Sequence, residues 1–398
     1  LNQRAEIHPT KNEEKMNHRE NTLAILNYEN FDSLPIVHFG FWPETLKKWA
    51  SQGHIDRRDA ENWKDGTAAD KNIAAALGFD FNWLNCFSPA TALFPEFETK
   101  VIETLSDGHY KSLNREGVIV IEKKDTVSIP TEVDHLLKGR QQWQEHYLPK
   151  LQFSPQRVDD TAVHTENGKL TLANGGLEYL KDQNRQKPLG LHCGSLLGRI
   201  RNWVGVEGLS YMSVDDPELL DEMIETVGRL CFQCAEYTLS LGAKFDFAHF
   251  WEDICYKSGP LVNPSLFREK VGPQYRRIAE LMNDNGIDII SVDCDGKIDA
   301  LVPIWLENGV NTMFPIEVGT WVGNIQPWRE TYGRQVRGVG GMNKTVFSRD
   351  RNAIDQEIER LQPLVDMGGY IPCPDHRIAP DAKWDNVRYY CDRMREVF

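Results

Sequence analysis

The sequence predicts an α/β protein: a (β/α)8 TIM barrel with an N-terminal helical extension and an inserted β ribbon, forming one domain over residues 16–398. Three observations predict it. Eight short β-rich runs recur along the 398 residues. Segments with apolar residues at helical spacing lie between them, and strand–helix alternation gives a parallel sheet. An open doubly wound sheet would alternate in the same way, but the glycine-rich "RGVGGMN" has neither G-x-G-x-x-G nor P-loop spacing.

In chain order, residues 1–15 ("LNQRAEIHPTKNEEK") are polar and aperiodic, which predicts a flexible lead-in. "NHRENTLAILNY" then repeats apolar residues at helical spacing, and "FDSLPIVHFG" turns through Asp-Ser into a first strand at 34–40. Further strands are expected at 79–86, 189–194, 243–252, 287–295, 311–317, 336–343 and 369–375. Among the helices between them, "DPELLDEMIETVGRLCFQCAEYTLSLG", "PSLFREKVGPQYRRIAELMNDNG" and "DRNAIDQEIERLQPLVDMGG" each close on Gly, which suits a helix stop. Eight strands need about 250 residues. The surplus falls largely in an insertion around 97–165, where "GVIVIEKKDTVSIP" reads as an antiparallel ribbon.

Composition excludes several classes. Forty-five basic and 59 acidic residues give a formal charge of -14, with no basic cluster to neutralise phosphates, so nucleic acid is not an expected partner. No apolar run reaches the ~18 residues needed to span a bilayer, and no signal segment opens the chain; a cytoplasmic protein without membrane attachment is expected. The eight cysteines have no framework spacing and are expected to be reduced. Cys231 and Cys234 form a C-x-x-C inside a helical-period segment, where two small apolar side chains on one face mean core packing.

In a barrel the active site lies at the C-terminal strand ends. Those ends carry His38, Asn85, His192, then His249, Glu252 and Asp253, then Asp293 and Asp295, Glu317, Asn343 and Lys344, and Asp375 and His376. Side chains alternate across a strand, so Asp293 and Asp295 share a face aimed at the mouth while Cys294 packs outward. Any one strand-end Asp or Asn is as readily a cap for the next helix, and His38 and His192 read first as hydrogen-bonded core histidines. Asp293, Asp295, Glu317 and His376 carry more weight together. Three carboxylates at one mouth repel unless they share a proton or a cation, and their oxygen and nitrogen donors suit zinc or a harder divalent ion. Phe41, Trp42, Trp83 and Trp251 sit at or just past strand ends, as a stacking wall or as plain core.

The opening "MNHRENTLAILNYENFDSLP" resembles that of the uroporphyrinogen decarboxylase superfamily, especially its cobalamin-linked methyltransferase branch. "GPLVNPSLFREKVGPQYRRI", "DCDGKIDALVPIWLENGVNTMFPIEV" and "IPCPDHRIAPDAKWDNVRYY" follow in the same order. The resemblance implies a (β/α)8 barrel. It also implies zinc, bound in that branch through an H-x-C after the fifth strand and a Cys after the eighth. The matching positions here are Asp293, Asp295 and His376, so every thiolate has become a carboxylate or imidazole. A Zn2+ or other divalent ion on this set would act as a Lewis acid on an oxygen rather than activate a thiol.

The activity so implied is demethylation of a small methylated substrate, with a corrinoid (cobalamin) as acceptor, free or on a small partner protein. Glu317, Asp253 and His192 are the catalytic candidates, and Trp42, Asn85, Arg199, Arg201, Glu252 and Lys344 the substrate contacts. Two other readings stand beside it. One is a decarboxylase of a tetrapyrrole or smaller acid, with Arg199, Arg201 and Lys344 binding carboxylates. Against it, the segment after the first strand, "HFGFWPETLKKW", lacks the arginines of true decarboxylases. The other is a non-catalytic tetrapyrrole or corrinoid binder.

Overall fold

The computed structural model describes residues 15–106, 108–123, 130–165 and 168–398; the expected lead-in, apart from Lys15, and part of the expected ribbon lie outside these residues. The strands, in order, are β1 (Val37–His38), β2 (Phe81–Asn82), β3 (Cys86–Phe87), β4 (Lys100–Thr104), β5 (His109–Leu113), β6 (Val118–Lys123), β7 (Thr131–His135), β8 (Val163–Thr165) and β9 (Gly168–Leu170). They continue as β10 (Gly190–His192), β11 (Phe247–Trp251), β12 (Cys255–Tyr256), β13 (Gly259–Pro260), β14 (Ile290–Asp293), β15 (Thr312–Phe314), β16 (Arg337–Met342) and β17 (Tyr370–Pro374).

The main sheet has seven parallel strands in the order β17-β16-β15-β14-β11-β10-β3, and β1 and β2 form a separate parallel pair. A single eight-stranded ladder was expected, and the structure departs from it at the second strand. There the Asn82 side chain accepts the Leu84 N–H (2.9 Å) and the Asn85 N–H bonds the Asn82 carbonyl (3.1 Å). This Asx-type turn splits one strand into two halves, one pairing with β1 and the other with β10. It also throws Trp83 inward, where it stacks on Phe247 at 4.2 Å.

The N-terminal helix His18–Leu26 starts with a capping box between Asn17 and Glu20. It packs beneath the strand starts: the Ile25 carbonyl accepts the Gly369 N–H at 3.0 Å, and the Tyr28 hydroxyl donates to the Val336 carbonyl at 2.6 Å. The insertion forms a four-stranded antiparallel sheet, β4-β5-β6-β7, which is wider than the ribbon expected. Cys231 and Cys234 are buried in the helix Pro217–Ser240 as thiols, in keeping with a packing role.

Inside the sheet, Phe247, His249, Ser291, Thr312 and Phe314 lie on one face, Phe314 meeting Phe39 at 4.5 Å. Apolar rings fill the lower half, and polar groups begin toward the C-terminal ends of the strands. On the opposite face Phe250 meets Tyr275 among the helices. That division decides which strand-end residues can reach a ligand.

Candidate active site

A cavity of about 430 Å³ opens at the C-terminal strand ends, lined by Asp65, His164, His192, His249, Trp251 and Asp293 among others. Alternation along β11 and β14 puts Trp251 and Asp293 side by side in register, both facing it. Cys294 turns the other way and meets Cys255, as expected from the alternation. Burial, and then the charge of Asp295, push the Asp293 carboxyl well above the carboxylate range; Arg377 opposes them and does not prevail. Both influences favour the protonated form of Asp293.

His192 accepts the Gly194 N–H on Nδ1 (3.1 Å), so its Nε2 carries the proton. Burial and then Arg199 push its pKa down to about 4, which leaves it neutral. His249 has Nδ1 3.2 Å from the Ser291 hydroxyl, which in turn accepts from the Trp83 indole at 3.4 Å. Burial and then His192 push the His249 pKa well below the usual value, so His249 is also a neutral ring.

At the mouth, His376 Nε2 lies 3.3 Å from Asp295 and its ring stacks on Trp42 at 5.6 Å. Glu317 accepts the Gly296 N–H (2.6 Å) and the Thr320 hydroxyl (3.0 Å); burial and then Asp295 raise its pKa. Asp253 sits at φ +47°, a left-handed conformation unfavourable for Asp, and is held there by Arg201, which bonds both its carbonyl and its carboxylate at 2.8 Å. Asp253, Asp293, Asp295, Glu317 and His376 thus share one electrostatic neighbourhood.

Other expected contacts are engaged elsewhere. Glu252, on the helix side of β11, is fully buried: it accepts the N–H groups of Leu196 (2.7 Å), Leu197 (3.0 Å) and Gly198 (2.7 Å) and the hydroxyls of Ser195 and Tyr275. It anchors the start of the helix Gly198–Asp215 and does not face the cavity. Lys344 is 3.5 Å from Asp375, whose other oxygen accepts the N–H groups of Val318 and Gly319 at 2.9 Å each. Arg199 pairs with Glu116 of the insertion. Asn85 donates weakly to the Pro188 carbonyl (3.4 Å) and lines a different cavity, of about 380 Å³, beside His38. His38 points toward Phe41 and Phe79 and is a core histidine.

Three groups at the mouth were not anticipated. Asp65 holds Arg377 through both oxygens (3.2 and 2.7 Å), His164 comes from β8, and Glu116 from the turn between β5 and β6. The only available signal was for Arg377, the partner of Asp65, which follows His376 in a loop already singled out; Asp65, His164 and Glu116 all reach the mouth from segments remote in sequence.

A model of the uroporphyrinogen decarboxylase (URO-D) family matches residues 147–397, well over half of the chain. The chain belongs to the URO-D family. Among solved structures, 39 chains match, and a methyltransferase from Methanosarcina mazei superposes with a TM-score of 0.59 at 14% identity, covering 96% of this chain and 99% of that one. At that identity the likeness establishes the fold. A B12-independent methionine synthase from Shewanella sp. W3-18-1 aligns over 92% of this chain and 98% of its own at 11% identity, but its TM-score of 0.45 is too low to bear on the site. No curated protein sequence matches.

The zinc site implied by the methyltransferase branch of the URO-D family does not fit the donors as they stand. Among the described residues, no group of three or more His, Cys, Asp or Glu side chains is placed to hold a metal ion. Asp295 and His376 meet each other instead, and the third expected ligand, Asp293, lies deeper in the cavity.

Proposed function

We propose that this URO-D family member is a methyltransferase that removes a methyl group from a small, non-anionic substrate bound in the cavity. The observation that carries the proposal is the charge arrangement at the mouth. Four of the basic side chains there have an acid beside them: Arg199 has Glu116, Arg201 has Asp253, Arg377 has Asp65, and Lys344 has Asp375, which leaves Lys64 as the cation on the cavity lining without an acid partner among the described residues. Asp293, Asp295 and Glu317 are acids in excess of these pairs. A decarboxylase of the tetrapyrrole type needs several free cations for its substrate's carboxylates, and this mouth offers Lys64 against three acids in excess. The cavity volume is also at the low end of the 300–1,000 Å³ typical of drug-sized ligands.

Removing a methyl group breaks a carbon–oxygen or carbon–nitrogen bond, and the atom left behind takes the electron pair and needs a proton. Asp293 is the group suited to give it, because it lies in the cavity and its burial favours the protonated form. The neutral Nε2–H of His192 is suited to orient an acceptor atom of the substrate, and Trp251 to pack against its apolar part. The methyl acceptor in this reading is a corrinoid on a partner protein, which follows from the family branch that the sequence resembles and from the likeness to a methyltransferase fold. The same reading takes the parallel strands as a closed (β/α)8 barrel. One contact supports closure where the ladders stop, the bridge between Phe41 and Ile378.

The test is to incubate the protein with reduced cobalamin and a panel of methyl ethers and methylamines, following methylcobalamin by its absorbance. Methyl transfer lost in Asp293→Asn but not in a surface control supports the proposal. Release of CO2 from a tetrapyrrole polycarboxylate, without methyl transfer from any compound, would overturn it.

A further inference from the structure

The inserted antiparallel sheet reaches the mouth through one turn. Residues 114–117 connect β5 to β6, and the Asn114 side chain fixes the turn by accepting the N–H groups of Glu116 and Val118 at 2.9 Å each. The Tyr147 hydroxyl bonds the Glu116 carbonyl at 3.1 Å, so the backbone there is held on both sides. From this support one oxygen of Glu116 pairs with the Arg199 guanidinium and the other accepts from Asn202 at 3.1 Å.

Arg199 is not a surface bystander. Its guanidinium lies over the Trp251 ring, 5.1 Å from the centroid, and Trp251 lines the cavity. It is also the charge that acts on His192, another cavity residue. Without Glu116, Arg199 and the His192 Nε2–H would form a cationic donor pair at the cavity edge, the usual way to hold a carboxylate.

We propose that Glu116 is a specificity-determining residue: a carboxylate supplied by the insertion that occupies Arg199 and so turns anionic substrates away from the cavity. This rests on the small-substrate reading above and assigns the insertion a role in it. The insertion would then be the element that sets this chain apart from a carboxylate-binding barrel, by converting an available arginine into a neutral pair.

Two probes of similar size test it by isothermal titration calorimetry: benzoate, which is anionic, and methoxybenzene, which is not. Glu116→Gln keeps the side chain's shape and its bond to Asn202 while removing the charge. The ratio of benzoate to methoxybenzene affinity should rise about ten-fold or more in this variant, the worth of one charge-assisted hydrogen bond. It should fall back in the double variant Glu116→Gln/Arg199→Gln. An unchanged ratio in a Glu116→Gln protein with an unshifted melting temperature would overturn the proposal. If that variant does not fold, Glu116→Asp withdraws the carboxylate by one methylene, and no rise in the ratio there overturns it equally. The methyltransferase reading fails separately: a ratio that responds as expected in a protein that moves no methyl group refutes the reaction and leaves the role of Glu116 standing.

Discussion

Asp293 is the residue whose environment most departs from that of a free side chain. Its pKa is raised in the folded state, first by burial and then by Asp295, so the folded protein holds a proton that the unfolded chain gives up near pH 3.9. The stabilising form is the protonated one. Stability from this group is present at low pH and is lost as pH rises toward the folded pKa. Asp293→Asn mimics the neutral acid, so it should melt above the wild type by a margin that widens as pH increases from about 4. Melting curves across that range check this, and a margin constant with pH would refute a protonated Asp293. At His376 the expected effect is smaller. Its pair with Asp295 is partly exposed, so His376→Ala should cost about 1 kcal/mol or less in a denaturant titration, apart from any effect on turnover. Alternation alone makes Asp293 and Cys294 point in opposite directions, and this much was legible from "SVDCD". That Asp295 and His376 pair with each other, and do not join Asp293 in a metal triad, was not. Ligand spacing specifies which loops meet and leaves open which atoms within them touch.

Among the elements, the helix Gly198–Asp215 depends on a residue from another strand. The Ser195 hydroxyl accepts the Arg199 N–H at 3.0 Å, and Glu252 accepts the three successive N–H groups that lead into the helix, those of Leu196, Leu197 and Gly198. Glu252→Ala should leave those donors buried and unpaired, costing about 3 kcal/mol or more by urea denaturation. Gly198 allows the approach, since a Cβ there would lie 2.0 Å from the Glu252 carbonyl oxygen; Gly198→Ala should be destabilising by the same measurement. In the sequence, Glu252 looked like a second strand-end acid beside Asp253. The parity of the strand separates them: Glu252 falls on the face of Phe250, toward the helices, whereas Trp251 faces the cavity. The split second strand was hidden for a different reason. "FDFNWLNC" has good strand-forming residues throughout, and the turn comes from a single Asn82 side chain competing for a backbone N–H.

For the whole molecule, several histidines are buried as neutral rings. Burial holds His38 at about 3 and His192 at about 4, and His249 well below the usual value. The unfolded chain binds these protons near pH 6.5 and the folded chain does not, so stability present above that pH is lost as it falls toward 4. Free energies of unfolding at pH 7 and pH 5 should show the loss. It should be larger in Asp293→Asn, which lacks the opposing gain from Asp293, and an equal loss in both proteins would contradict the assignment.

The sequence by itself determined the alternation of strands and helices, the parallel class, the strand ends as the place for polar chemistry, and the family. These follow from local periodicity and from motif order, which a single chain displays directly. The tertiary structure alone decided which acid holds which base. Arg199 meets Glu116 from 83 residues away, and Arg377 meets Asp65 from 312. Ion pairs carry no sequence period, and any of the chain's acids could serve any of its bases until packing brings particular pairs together at one mouth.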